Sequence, residues 1–388
     1  MTRSAETSSA EAMVEAVRAL CPLIAEHSSE AEKLRKPVDE VIDKLAATGV
    51  FTSYVPKRFG GLEIDPDTFI DVGLAVSEAC TSTGWVTTFY MEHNWMLAQF
   101  PPETQEEIFG AQPFILAPAS ISPNGKAQKV DGGYRISGRW GWGTGVMHAD
   151  WVFLNGIVEG DQPEARLFIV PRQEIDVDDT WYCAGMEGTG SNDIVADAVT
   201  IPAARSEPLL DMSSGRGSGA ESPCYRHPML PLLSIAAATP ALGTARRALA
   251  LFTERLGGRV LYGTFTKQAE RPGAQVLLGN SSVQVGAAEK LLRNVGREVA
   301  LWGHEDEVCP PEERARMRLQ VAQVVQSCRD VVQNLMQASG AGAHMRSHEM
   351  QRILRDINTL SCHTVFDTEI AAENYGRMLL GMDPSSLV

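Results

Sequence analysis

Arg355, Asp356 and His363 stand near the end of the chain in the order R-D-x-x-x-x-x-x-H. Histidine is the side chain whose ordinary pKa, near ~6.5, lets it exchange a proton at neutral pH. A second histidine, His93, sits in an apolar segment that ends at Pro101-Pro102. Hydroxyls accompany the pair: Ser120 closes a strand-like run, Thr144 lies in Trp140-Gly141-Trp142-Gly143-Thr144-Gly145, and Thr189 and Ser191 belong to the turn Gly188-Thr189-Gly190-Ser191. Proton exchange and hydrogen bonding to a polar ligand are the chemistry this set offers. Plainer roles compete for each residue. A histidine on an apolar helix usually packs in a core, Thr144 suits a strand as a β-branched residue, and Ser120 suits a turn. Trp140, Trp142 and Trp151 read as domain core. His148 and His344 have no motif around them and read as surface or structural residues.

The elements that must hold these residues follow from periodicity. Helical patterning runs from Glu11 to Thr48 and stops at Gly49. Val55 to Gly61 is a turn-rich break, and Asp65-Pro66 pairs a capping side chain with a first-turn proline. Helix then continues through Cys80 and again from Ser82 to Phe100, and Pro101-Pro102 opens a short helix over Glu103 to Phe109. From Pro113 strand-like runs take over: Phe114 to Ser120, Ala127 to Val130, Tyr134 to Trp142, Trp151 to Val158, Ala165 to Val170 and Ile194 to Ile201. Asp131-Gly132-Gly133 is a hairpin signal, and the whole middle reads as a compact antiparallel β domain. Asp211 to Ser222, rich in Gly and Ser, reads as a mobile loop. Helix returns to the end, with Leu291, Val295 and Val299 on one face and Val321, Val324, Cys328, Val332 and Leu335 on another. Three units are expected: helices over 1–112, a β domain over 113–222 and a helical bundle over 223–388.

Composition narrows the classes of function. The 388 residues carry a net charge of -15 with no basic run, which excludes a polyanion partner such as nucleic acid. The apolar stretch Met229 to Leu242 is broken by Pro231, Ser234, Thr239 and Pro240, and is too short to span a bilayer. Met1 to Ala10 has no signal-peptide core. The seven cysteines are scattered without close pairs, which argues against a zinc site or disulfide frame and reads as buried thiols in a reducing cytoplasm. No strand leads into a convincing G-x-G-x-x-G within a βαβ unit, so the chain has no nicotinamide-binding domain of its own.

The order helices, β barrel or sandwich, helical bundle, together with three motifs, resembles the acyl-CoA dehydrogenase superfamily (an α+β fold) across nearly the whole chain. Val55-Pro56 through Gly60-Gly61 is similar to its P-x-x-x-G-G turn, Gly132 through Trp140 to its G-G-Y-x-x-S-G-x-W hairpin, and Gln351-Arg352 with Arg355-Asp356 to its arginine–aspartate segment. The dehydrogenases of that superfamily need a carboxylate as general base. Thr364 falls where most place it, and no Asp or Glu occurs between Glu221 and Glu254, where a minority do.

What stands instead is similar to the reduced-flavin-dependent monooxygenases of the same fold: Arg355, Asp356 and His363, then Trp140 through Gly145 for W-x-F-x-S-G, with Trp142 and Thr144 as departures. The resemblance implies a reaction of reduced flavin (FADH2 or FMNH2) with O2 through a C4a-hydroperoxide that oxygenates a phenolic or indolic small molecule. It implies His363 as base or hydrogen-bond partner, Thr144 near flavin N5, and Ser120 and His93 lining the substrate pocket. Trp140, Trp142, Thr144, Gly145, Gly188, Thr189, Gly190, Ser191 and Arg355 are implied around the flavin. A separate NAD(P)H-flavin reductase, a homotetramer sharing flavin sites, and a pocket covered by 211–222 with Cys224 to Met229 complete the expectation. The competing readings are an acyl-CoA dehydrogenase or oxidase with an unusual base, and a non-enzymatic relative kept as a binding module.

Overall fold

The computed structural model describes residues 2–305 and 307–388. Helices come first: α1 (Thr2–Glu26), α2 (Ser28–Leu34), α3 (Asp39–Ala47), α4 (Pro66–Ala79), α5 (Thr81–Leu97) and α6 (Pro102–Phe109). The stretch expected as one helical run to Thr48 is three helices, and Gly49 does end the last, at φ +81°. Asp65 caps α4 by accepting from the Thr68 amide at 3.0 Å, with Pro66 in the first turn.

Seven strands follow: β1 (Ala119–Val130), β2 (Gly133–Gly143), β3 (Trp151–Val158), β4 (Glu164–Pro171), β5 (Asp176–Asp178), β6 (Asn192–Pro202) and β7 (Ser206–Pro208). They form one sheet in the order β5-β6-β2-β1-β3-β4-β7. Two expectations need correction here. The runs at 114–120 and 127–130 belong to one strand, with 114–118 outside it: β1 pairs with β3 at Ala119 and Ser120 and, past an irregularity, again from Gly125, which lies against Trp140. The sheet is also not wholly antiparallel, since β1 and β3 run parallel, Ala119 opposite Phe153 and Ser120 opposite Leu154. Ile136, Trp140, Val152, Leu154, Phe168, Val170 and Ile194 fill the core on this sheet.

After the sheet come α7 (Leu209–Ser213), α8 (Met229–Gly258), α9 (Pro272–His304), α10 (Pro311–Ser339), α11 (Glu349–Leu360) and α12 (Thr368–Leu379). The face Val321, Val324, Cys328, Val332 and Leu335 is fully buried in this bundle. The segment 211–222 is pinned rather than loose. The Glu207 carboxylate accepts from the Ser218 amide at 2.8 Å and from its hydroxyl at 2.6 Å, and the Gly219 amide donates to Gln99 O at 3.0 Å. All seven cysteines are free, but only Cys80, Cys309 and Cys328 are buried and Cys362 is exposed, which corrects the reading of all seven as buried. No described helix is long and apolar enough to cross a membrane.

Gly60 and Gly61 divide the work of the first turn. Gly60 has φ +88° with open space around its missing side chain, whereas a Cβ on Gly61 would lie 1.8 Å from Val55 O. Gly60→Ala is therefore expected to cost about 1 kcal/mol of left-handed backbone strain, and Gly61→Ala about 3 kcal/mol of backbone displacement. Thermal unfolding of both variants checks the order; an equal loss would remove the packing role of Gly61.

Candidate active site

Helix α5 is buried along its whole length except at Phe89. Trp85, Phe89 and His93 stand four residues apart and so share one helix face. The Trp85 and Phe89 rings stack at 4.6 Å, and Phe89 meets His93 edge-on at 5.6 Å. His363, in the turn after α11, lies over the same column, 5.6 Å from Trp85 and 6.5 Å from Phe89. Phe89 thus reaches open space between two histidines.

Thr144 enters at the other end of the column. Its Oγ1 accepts from the Trp85 indole N–H at 3.3 Å and lies 3.0 Å from Ser191 Oγ, which lies 2.7 Å from Thr189 Oγ1. Thr189 donates its one proton to Met186 O at 2.9 Å. A carbonyl only accepts, so the chain has a direction: Ser191 gives its proton to Thr189, and Thr144 gives its proton to Ser191. The Thr144 oxygen is left with one lone pair and no proton to donate.

The backbone that holds this chain of hydroxyls is unusual. Trp142, Gly145, Met186 and Gly190 all have positive φ, at +63°, +76°, +58° and +56°. The Gly145 amide donates to Thr189 O at 3.0 Å, and a Cβ there would meet Tyr90 Oη at 2.5 Å. Strained conformations of this sort persist only where surrounding structure holds them. Part of that hold is Asp356, whose buried carboxylate accepts from the Met186 amide at 2.6 Å. Burial pushes its pKa up to about 6.

At the far end, His93 Nδ1 donates to Ala117 O at 2.5 Å, which leaves Nε2 as an acceptor. Ser120 is buried at the start of β1, three residues beyond Ala117, opposite Leu154; Phe153 packs against His93 at 6.2 Å. His363 has the opposite tautomer. Its Nδ1 accepts from the Val365 amide at 3.3 Å, so Nε2 carries the proton and donates. Burial lowers the pKa of both rings to about 4, with Arg318 adding to the effect on His363. The ordinary value assumed for a base does not hold here. A neutral ring this weakly basic does not strip the proton from a phenol of pKa ~10; it accepts or donates a hydrogen bond.

His93, Thr144, His363, Gly145 and Gly188 to Ser191 are therefore brought into one region, whereas Ser120 pairs with Leu154 of the sheet core rather than with Phe153 beside His93, and three further expectations change. Trp140 is 0% exposed in the sheet core, its indole donating to Asn155 O at 2.8 Å, and cannot touch a flavin. Trp142 is 65% exposed and is not core, because its positive φ turns it outward beside Thr144. Arg355 faces α2, paired with Glu32 at 2.5 Å, and serves to clamp α11 in place. Trp85 and Phe89 were missed as site residues, although the spacing of 85, 89 and 93 announces one face, and Asp356 was read only as part of the arginine–aspartate motif, without its bond to Met186. The carboxyl beside His93, Glu92, has Oε1 3.8 Å from Nε2. Burial raises its pKa well above the usual range, which disfavours its charged form. Asp367, after His363, is spent capping α12 through the Ile370 amide.

The family models for the N-terminal and C-terminal domains of acyl-CoA dehydrogenase match residues 7–109 and 235–368. Among characterised proteins, a pigment production hydroxylase of Rhodococcus sp. (strain ATCC 21145) is 36% identical over 381 residues, covering 96% of this chain and 97% of the relative. The flavin-dependent monooxygenase oxygenase subunit HsaA of Mycobacterium tuberculosis (strain ATCC 25618 / H37Rv) is 32% identical over 97% of both chains. The chain belongs to the flavin-dependent monooxygenase branch of the acyl-CoA dehydrogenase fold. The oxygenase component of p-hydroxyphenylacetate 3-hydroxylase from Acinetobacter baumannii is 30% identical, covering 96% of this chain and 90% of the relative. The structure of XiaF from Streptomyces sp. in complex with FADH2 and glycerol superposes with a TM-score of 0.93 at 28% identity, covering 99% of each chain. As a member of this branch, the protein is a monooxygenase, and the empty place for a dehydrogenase carboxylate agrees with that.

If Asp356 holds the 186–191 turn, Asp356→Ala strands the buried Met186 amide and costs about 2 kcal/mol. Asp356→Asn keeps an acceptor without a buried charge and is expected to lose less than half as much. Thermal unfolding reads both; equal losses would show that the carboxylate does not anchor the turn.

Proposed function

We propose that this chain is the oxygenase component of a two-component system: it takes reduced flavin from a separate NAD(P)H-flavin reductase and hydroxylates a small phenolic or indolic compound with O2. The observation that carries the reading is the direction of the hydroxyl chain. A reduced isoalloxazine ring bears a hydrogen on N5, while the oxidised ring bears a lone pair there. Thr144, with its proton committed to Ser191 and one lone pair left, suits the reduced form. The exposed Trp142 indole beside it is an apolar surface that a flavin ring would cover, and the Gly188–Ser191 turn supplies close backbone approach. Bound flavin would supply the activated oxygen.

The chain's own residues divide the remaining tasks. Thr144 and His363, next to Trp85, serve the flavin end, with His363 donating through Nε2. His93 Nε2 serves the substrate end, as the acceptor for a phenolic or indolic O–H or N–H. Phe89 lies between them as the apolar wall, and the buried surroundings exclude water that would compete for the activated oxygen. The pinned segment 211–222 with 224–229 closes the pocket and shapes its specificity. The acyl-CoA dehydrogenase reading lacks a base, and the non-enzymatic reading leaves the strained turn without a purpose.

A homotetramer is part of the reading. Between α8 and α9 a short arm, closed by the Val260–Lys267 bridge, carries Tyr262 and Phe265 fully exposed. Two bare aromatic rings on one arm suit a contact with another subunit. Light scattering should give four chains per particle, and Tyr262→Ser with Phe265→Ser should lower that number.

The reading is tested by anaerobic titration with reduced and oxidised FMN and FAD, then product yield per flavin oxidised in air. Reduced flavin is expected to bind at least ~10-fold more tightly, a difference of about 1.4 kcal/mol. Equal affinity for the two redox states would sink the argument from Thr144. Thr144→Val and His363→Ala are expected to lower coupling at least ~10-fold, and wild-type coupling in His363→Ala would remove that residue from the site. Both imidazoles titrate near pH 4, so coupling should stay level from pH 8 to 6 and fall only as the rings protonate below about 5. A midpoint near 6.5 would show ordinary, solvated histidines instead.

A further inference from the structure

Arg318 on α10 is a buried guanidinium whose donors all run to carbonyls of the segment after His363 and of the chain's end. One amino group donates to Thr364 O at 3.1 Å, Nε to Val365 O at 3.3 Å, and the other amino group to Leu387 O at 3.1 Å. No carboxylate lies within ion-pair distance of it among the described residues; Asp367 is the acidic group that acts on it from further away. A buried charge satisfied by carbonyls alone is costly, and the sequence places it under the one turn that carries His363.

The geometry contains a relay. Thr364 C=O and Val365 N–H belong to the same peptide unit. Arg318 donates to its oxygen, and its N–H donates to His363 Nδ1. A charge-assisted bond on the oxygen polarises the amide and strengthens the N–H as a donor. We propose that Arg318 is a positioning residue that acts through this single peptide unit to hold His363 neutral, with Nδ1 accepting and Nε2–H presented to the flavin end of the site. The role of Nε2–H rests on the function proposed above; the link from Arg318 to the ring does not.

Burial is the larger cause of the weak basicity of His363, and among the groups around the ring Arg318 is the charge that adds to it. Trp85 and Phe89 of α5 face it without charge, and Phe366 packs at 5.9 Å. His93 and Glu92, whose charged form is disfavoured by burial, lie beyond Phe89. Cys362 adjoins His363 and points its thiol to Asn358 O at 3.2 Å, and Asp367 caps α12. On α11, Asp356 is bonded to Met186 and Arg355 to Glu32.

Site-resolved hydrogen–deuterium exchange at histidine C2, read by mass spectrometry across pH, measures the titration of His363 without flavin or substrate. In the wild-type protein the midpoint is expected near 4, and a midpoint near 6.5 overturns the proposal without any variant. Arg318→Gln keeps a donor but not the charge, and is expected to raise the midpoint by at least about one pH unit. Arg318→Lys keeps the charge and is expected to hold the midpoint within about half a unit of wild type. Identical midpoints in wild type and the Gln variant mean that Arg318 only braces the fold. Coupling is measured on the same samples: a shifted midpoint with unchanged coupling preserves the relay and removes His363 from the proposed chemistry.

Discussion

Everything about the site follows from the burial of α5. A helix closed in on all sides has no solvent to satisfy its polar side chains, so they must serve the protein's own backbone. Thr87 and Thr88 return their protons to Thr83 O and Trp85 O, and Asn94 bonds to Tyr90 O and in both directions to Ile115. What is left over points along one face. There Trp85 spends its N–H on Thr144, His93 spends Nδ1 on Ala117 O, and Phe89 alone reaches open space. Those two bonds, with the Tyr90 hydroxyl donating to Gly145 O between them, fix α5 against the strands, so the hydroxyl end and the histidine end of the site keep a separation set by two helical turns.

The same burial decides the chemistry. Two imidazoles in solvent would spend neutral pH in exchange between charged and neutral forms. Shielded by the fold, His93 fully and His363 in part, they stay neutral, and the Nδ1 role of each ring is assigned by a backbone partner: His93 Nδ1 donates and His363 Nδ1 accepts. Direction matters in the hydroxyl chain too, where a single carbonyl, Met186 O, orders three hydroxyls in turn. Among these groups it is hydrogen-bond polarity, rather than acid–base strength, that the surrounding backbone fixes.

Much of this was legible in the sequence because the motifs name residue types that the backbone must place. Asp65-Pro66, Gly49 and the hairpin at Gly132 read correctly because caps and turns are local. The errors are tertiary. Strand alternation puts residues 140 and 142 on one face, yet a positive φ at Trp142 breaks the alternation and turns the second indole out. Arg355 and Asp356 look like one motif, but neighbours on a helix point apart, the arginine to α2 and the aspartate to the turn at 186–191. The Gly/Ser content of 211–222 suggested mobility. Its glycines are there for close approach: a Cβ on Gly215 would meet Arg226 O at 2.4 Å, on Gly217 Gln99 O at 2.6 Å, and on Gly219 the Gln105 side chain at 1.9 Å. Composition cannot separate glycine used for freedom from glycine used for packing.

Arg318 was invisible for a related reason. Nothing in sequence joins an arginine in the middle of a long helix to a histidine some forty-five residues later, and a polar residue on a buried helix face looks like a fault in the pattern. Its placement makes sense once the turn after α11 is considered alone. That turn presents the Thr364 and Val365 carbonyls to α10 and carries the His363 ring. A carboxylate partner would orient the ring by charge and raise its basicity; a guanidinium acting on the far side of a peptide bond orients it while keeping it weakly basic. At this turn the charge that acts on the ring is a guanidinium rather than a carboxylate, and the ring nitrogen that faces the backbone is the acceptor.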